Sequence, residues 1–142
     1  MSVGVYGLGR FGAFWAGELA RYIPVKGYNR TKRNLEIAGV ELVGEEELLL
    51  CDTIILCVAI SSFKQVLHTL APRIRPGTLI MDTCSVKVYP AQVMSGELAE
   101  SVEIIATHPM FGPDSGRDSI VGLPLVFSPV RCSEERARQW QS

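Results

Sequence analysis

Two short stretches hold most of the residues able to do chemistry. The first, "GLGRFG" (7–12), is a GxGxxG spacing that follows the apolar run "SVGVYG" and opens a helical pattern. In that context it predicts a dinucleotide cradle. Gly7 permits the tight turn, Gly9 lets backbone approach a pyrophosphate, and Gly12 allows the helix to pack closely on the strand. The free N–H groups and positive dipole end of the helix complete an anion site, with Leu8, Arg10 and Phe11 on the same loop. The second stretch, "THPMFGPDSG" (107–116), sets one of only two histidines among two prolines, two glycines and an aspartate. Its composition predicts neither helix nor ladder strand, because proline removes backbone donors and glycine favours turns. A loop that buries little and is costly to order usually exists for function. Taken alone, His108 reads as a hydrogen-bonded loop histidine.

The segment "YNRTKR" (28–33) bears on which dinucleotide is bound. About 20 residues beyond the glycines, NAD sites place an acid on the ribose hydroxyls. Here Asn29 stands in that place, followed by Arg30, Thr31, Lys32 and Arg33. A carboxylate would repel a 2′-phosphate, whereas a guanidinium binds it through charge-assisted bonds. The alternative is a solvated basic first turn of a helix, but a helix N-terminus disfavours cations, and basic residues there want an anion. NADP is therefore favoured over NAD.

The elements that must position these residues alternate. The chain has 142 residues, 47% of them hydrophobic and 20% charged, which suits one domain with a real core. A net charge of -1 argues against nucleic acid or an anionic membrane surface as partner. A strand at 2–7 leads to a helix with Phe11, Phe14, Trp15, Leu19 and Tyr22 on one face. Next come a strand at 24–29, a short helix in "TKRNLEIAG" closed by Gly39, and a weak strand in "VELVG". "TIILCVA" (53–59) reads as a parallel strand buried on both faces. A helix with a core stripe at Phe63, Val66, Leu67 and Leu70 follows, then a strand at 78–83, a helix at 88–100 with Pro90 in its first turn, and a strand at 102–107. Repeated β-then-α units predict an α/β fold with a doubly wound, mostly parallel sheet, the Rossmann arrangement, over residues 1–130. After "LPLVFSP" (123–129), "CSEERARQWQS" reads as a capped helix beginning. Cys51, Cys57, Cys84 and Cys132 show no metal-ligand spacing and read as reduced, structural thiols. With no signal-like N-terminus and no membrane-length apolar run, the expectation is a soluble, cytoplasmic protein.

Together with the glycine motif, "DTCSVK" (82–87) and "THPMFGPDSG" resemble the prephenate and arogenate dehydrogenases of tyrosine biosynthesis, across roughly residues 3 to 130. The second motif, with "LPLVF" after it, is most like the arogenate-type branch. The family's usual proline after the fourth strand is replaced by Ala59 in "CVAISS". The resemblance implies NADP-dependent oxidative decarboxylation of arogenate to tyrosine or of prephenate to 4-hydroxyphenylpyruvate. It implies His108 as acceptor of the substrate hydroxyl proton, a role that a near-neutral pKa suits. It implies Ser85 as a bridge between nicotinamide, histidine and hydroxyl, Lys87 as an electrostatic or structural partner, and Asp114 near the substrate entrance. By its residue type alone Ser85 reads first as an N-cap of the next helix. The cofactor positions expected are Gly7, Leu8, Gly9, Arg10, Phe11, Gly12, Asn29, Arg30, Thr31, Lys32, Val58, Ala59 and Ser85. No metal site is expected. His68 reads as solvated and Trp15 as core.

The family continues into a helical domain that forms the dimer and supplies cations for the substrate carboxylates. Residues 131–142 read as the start of a helix leading toward it, and Arg117 is the one basic residue near the loops that partly substitutes. The chain is thus expected to be the nucleotide-binding half, with weak, concentration-dependent self-association. The rival reading is a non-catalytic dinucleotide-binding or regulatory module of the same fold. A β-hydroxyacid-type dehydrogenase is disfavoured by "SVK" and "HPMFGP".

Overall fold

The computed structural model describes residues 2–31, 36–84, 88–115, 119 and 125–141. In chain order its elements are β1 (Val3–Tyr6), α1 (Arg10–Leu19), β2 (Val25–Tyr28), β3 (Val40–Leu42), α2 (Glu45–Leu48), β4 (Thr53–Leu56), α3 (Ile60–Leu70), a 3-10 turn (Ala71–Arg73), β5 (Leu79–Asp82), α4 (Val88–Glu97), β6 (Glu103–Pro109), β7 (Leu125–Arg131) and α5 (Glu134–Gln141). The strands order as β3-β2-β1-β4-β5-β6-β7. The first six are parallel and β7 runs antiparallel to β6. The strand order reverses between β1 and β4, and the crevice beyond the carboxyl ends of the strands at that point is where such sheets take their ligands.

The apolar runs become the inner strands because both faces are covered. Every residue of β1, β4 and β5 is buried. On one face Trp15 of α1 packs with Val3, Ile55, Leu79, Met81 and Ile105. On the other, Phe63, Leu67 and Leu70 of α3 and Met94 of α4 pack on Ile54, Leu56, Ile80 and Ile104. Trp15 and the α3 stripe are core, as their spacing predicts. Burying such side chains contributes roughly 1.5–3 kcal/mol each.

Four local expectations change. Helix α1 stops at Leu19, and Tyr22 lies beyond it with 69% of its surface exposed, so it is not on the packed face. After Leu19 the chain tightens into a turn, with Arg21 and Tyr22 N–H groups on the Glu18 and Leu19 carbonyls at 3.3 and 3.0 Å, and Pro24 steers Ile23 out of helical geometry. Residues 36–39 are not helical; Ile37 packs beside Val5, Leu8 and Val25, and its carbonyl accepts the Val40 N–H at 3.0 Å, which draws the chain into β3. The helix α2 was not anticipated; its Leu48 covers Gly4, where a β-carbon would lie 2.9 Å from Leu48 Cγ. Finally, the strand expected to end at Thr107 runs on through His108 and Pro109: Thr107, His108 and Pro109 pair with Phe127, Val126 and Leu125. Pro109 is tolerated because it ends its strand. Pro129 is tolerated because β7 is an edge strand with a register shift opposite Ile104 and Ile105.

The last helix begins as its sequence suggests. Ser133 Oγ accepts the Arg136 N–H at 3.2 Å, and Glu134 and Glu135 occupy the positive end. Arg136 bonds Glu103 at 2.8 Å and the Gly77 carbonyl at 2.6 Å, while Trp140 joins the face containing Trp15. All four cysteines are free thiols. Among the described residues no helix is long and apolar enough to cross a membrane.

Candidate functional site

The glycine loop leaves β1 at the crevice. Gly7 adopts φ +101° and donates its N–H to the Tyr28 carbonyl at 2.8 Å. A β-carbon at Gly12 would fall 1.8 Å from the Gly7 carbonyl oxygen, so helix and loop meet backbone to backbone. Gly9 is different. Its φ of −71° and ψ of −163° are open to any residue, and a β-carbon there would meet nothing within 4 Å. The fold demands glycine at 7 and 12 and makes no such demand at 9.

Gly9 N-caps α1 without a side-chain hydrogen bond, and the first turn carries no acid. Ala59 N-caps α3 under the same conditions. Each helix start carries N–H groups that lack an intrahelical acceptor. Gly9 and Ala59 line both of two adjoining cavities, so both helix starts face one cleft. The larger cavity, about 520 Å³, is walled by Tyr6, Tyr28, Asn29, Arg30 and Glu45, with Gln65 opposite. The smaller, about 370 Å³, is bounded by Arg10, Phe11, Val58, Thr83 and Cys84. Open glycine backbone and uncapped positive helix ends fit a dinucleotide pyrophosphate.

Asn29 has a part that its position in the sequence does not reveal. Its Oδ1 accepts the Leu8 N–H at 2.9 Å, and its Nδ2 donates to the Thr31 carbonyl at 2.7 Å. The side chain braces the glycine loop from the end of β2 while still lining the cavity. Beside it, Glu45 accepts the Tyr6 hydroxyl at 2.6 Å and pairs with Arg73 at 2.6 Å. The Tyr6 bond foremost, against some burial, and then Arg73 hold the Glu45 carboxyl below its ordinary range. Burial, followed by Glu45, raises the Tyr6 phenol. Cys57, between the two cavities, has its thiol pushed up to about 12 by burial and is no nucleophile.

His108 stands half-buried near the end of β6, on the sheet face of Ile104 and Ala106 by strand alternation. The loop after it is anchored to α1: Phe111 is buried with its ring 5.4 Å from that of Trp15 and 6.3 Å from that of Phe14. Asp114 and Arg10, given separate roles by sequence, meet at 2.5 Å across the cleft mouth with both side chains exposed. Between β5 and β6 lies a wholly buried carboxylate, Asp82, whose place in the site residue type and spacing do not reveal. One charge ending the apolar run "TLIMDT" was the signal available. Ser85, Lys87, Lys32, Arg33 and Arg117 lie outside the described residues.

Residues 24–131 match the family model described as prephenate dehydrogenase, nucleotide-binding domain. The chain belongs to the prephenate dehydrogenase family. It is 33% identical to arogenate dehydrogenase 1, chloroplastic, of Arabidopsis thaliana over 98% of its own length and 23% of that protein's. The solved Synechocystis arogenate dehydrogenase superposes with a TM-score of 0.81 at 28% identity, covering 99% of this chain and 55% of that one. A prephenate dehydrogenase from A. aeolicus, solved with hydroxyphenyl propionate and NAD+, shares the fold at a TM-score of 0.76 and 16% identity, with 99% and 55% covered. The chain spans about a quarter of the length of the curated relatives it matches and about half that of these two solved chains.

In this member of the family the topology gathers Gly7, Gly9, Gly12, Asn29, Arg30, Val58 and Ala59 around one cleft. Thr31 is exposed beside it, and Leu8 is buried beneath the loop with its N–H held by Asn29. His108 ends a strand at the same edge of the sheet, two strands from β4.

Proposed function

We propose that this chain is the NADP-binding domain of a cytoplasmic arogenate or prephenate dehydrogenase, an oxidoreductase of tyrosine biosynthesis. The observation that carries the reading is Gly9: a glycine that the fold does not require, at an uncapped helix start, facing open space. An occupant whose phosphates approach the backbone accounts for it. Arg30 in the cavity wall supports NADP over NAD. So does the absence of a carboxylate at position 29, where the amide Asn29 instead braces the loop. The four free thiols support a reducing compartment.

When bound, the nicotinamide supplies a hydride acceptor for the substrate carbon that bears the hydroxyl. His108 takes the hydroxyl proton as that bond gains carbonyl character, and departure of the ring carboxylate then aromatises the product. Ser85 orients the hydroxyl against His108, Lys87 adds positive charge, and Asp114 stands at the entrance. Arg30, Thr31 and Lys32 hold the 2′-phosphate. The cations that clamp the substrate carboxylates come from a helical domain outside these residues, and positioning of this kind accounts for roughly 7–11 kcal/mol of a barrier.

Calorimetric titration at fixed salt tests the cofactor. Charge-assisted bonds to phosphate contribute roughly 1.5–3 kcal/mol each, so NADP binds about tenfold or more tighter than NAD. The double change Asn29→Asp and Arg30→Ala reverses that order. Equal affinities for the two cofactors overturn the assignment. With a helical domain supplied in trans, NADPH absorbance rises on adding arogenate or prephenate and fails to rise for His108→Asn. Turnover by that variant removes the proposed base.

A further inference from the structure

Strands β5 and β6 pair in parallel from Leu79↔Glu103 to Met81↔Ile105. The Glu103 N–H donates to the Thr78 carbonyl at 2.8 Å, and rungs of a parallel ladder recur every second residue on both strands. That rhythm brings the Thr107 N–H to the Asp82 carbonyl. The bond made is another one. The Thr107 N–H donates to Asp82 Oδ1 at 2.9 Å, and the Thr107 hydroxyl takes the Asp82 carbonyl that the backbone gave up. The other carboxylate oxygen accepts the Cys84 N–H at 3.2 Å. Asp82 is wholly buried and Thr107 nearly so.

We propose that Asp82 and Thr107 are a positioning pair for His108, an inference that rests on reading His108 as the proton acceptor. Stability alone does not call for a buried carboxylate here. A direct backbone rung needs no charge, and an apolar pair of similar volume is commonly as stable as a buried polar one. What the bracket adds is direction. Charge-assisted bonds from one rigid carboxylate fix two chain exits at once. One is the end of β6 immediately before His108. The other is the exit of β5 through Cys84, the residue that precedes Ser85 in sequence. A site needs its reacting groups held within about half an ångström, and strand ends tied by a shared carboxylate are a means of doing so.

The chain's two histidines make the test direct. In a ¹H–¹³C spectrum of the ring Cε1 groups, His68 serves as the internal reference, being 78% exposed on α3 and paired with Glu97 at 2.9 Å. Thr107→Val keeps the shape and removes the hydroxyl, and Asp82→Asn keeps the shape and removes an acceptor. Each moves or splits the His108 signal by more than its linewidth and leaves His68 in place, and Thr107→Val leaves NADP affinity unchanged. Thr107→Ser returns the His108 signal to its original position. An unmoved His108, equal movement of His68, or no recovery in Thr107→Ser overturns the proposal. Should Asp82→Asn fail to fold, the Thr107→Val and Thr107→Ser pair decides alone. NADP titration of the unaltered chain separates the two levels. No NADP binding with a His108 signal that still responds removes the functional reading and keeps the bracket; NADP binding with an unresponsive His108 does the reverse.

Discussion

In the glycine loop a single β-carbon at residue 12 would strike the Gly7 carbonyl, whereas at the ends of β5 and β6 a buried carboxylate stands in for a backbone rung. The glycine-loop end of the cleft is thus shaped by atoms that are absent, and the β5–β6 end by side chains that bridge. Steric exclusion is local and absolute, so its residues cannot be exchanged. A hydrogen-bonded bracket is directional and adjustable, and it transmits small changes to the groups it aims. A pyrophosphate is the same in every dinucleotide and suits the first device. On the proposed function, a reacting hydroxyl that meets both a histidine and a hydride acceptor suits the second.

The comparison is broken most severely within the glycine loop. Gly12→Ala forces loop and helix apart and costs about 3 kcal/mol or more, at the upper end of overpacking, with dinucleotide binding lost as well. Gly9→Ala, three residues earlier, costs no more than about 1 kcal/mol, in line with a weaker N-cap, and still weakens NADP at least tenfold. Chemical unfolding and calorimetry on both variants check this. If the two substitutions destabilise equally, Gly9 is a packing residue and its functional reading fails.

Glu45 sharpens the comparison from the other side, because in the wall of the larger cavity a side-chain network does the holding. Its carboxyl is lowered from an ordinary value of 4.5, chiefly by the Tyr6 hydroxyl. A group whose folded value is depressed adds stability above its unfolded value and loses it as pH falls through the folded one. Stability therefore declines below about pH 4.5. Tyr6→Phe removes the main cause, costs about 1 kcal/mol near neutrality and flattens the decline. Urea melts from neutral pH down to the acid limit measure both. An unchanged acid limb in Tyr6→Phe would show that the network is incidental.

The smallest effect belongs to the pair across the cleft mouth. Arg10 and Asp114 are 71% and 82% exposed, so Asp114→Asn changes stability by less than about 1 kcal/mol. Whatever difference remains shrinks as salt is raised, since exposed charges are screened. A larger, salt-insensitive loss would mean that the ion pair, and not the buried Phe111, anchors the loop after β6.

Legibility followed the same division. The sheet, its core stripes and the nucleotide loop were readable because hydrophobic period and glycine spacing are local records of burial and steric need. Tyr22 was misplaced because periodicity continues past the point where the helix ends. The strand through His108 and Pro109 was missed because local composition disfavours it. Its partner, β7, begins sixteen residues after Pro109, and only pairing with that edge strand overrides the local preference. Tyr6 with Glu45 and Asp82 with Thr107 are 39 and 25 residues apart, separations at which sequence carries no spacing signal.

By itself the sequence determined a doubly wound sheet and a glycine loop at its first turn, and the motifs pointed to the family. Those depend on residue type, period and short spacing, which the chain states directly. Only the tertiary structure decided that Asn29 braces the loop, that Gly9 faces open space, that Arg10 meets Asp114, and that Asp82 replaces a backbone rung before His108. Apart from the open space at Gly9, each of these is a contact between residues distant in the chain, and its direction is fixed when the sheet closes them together.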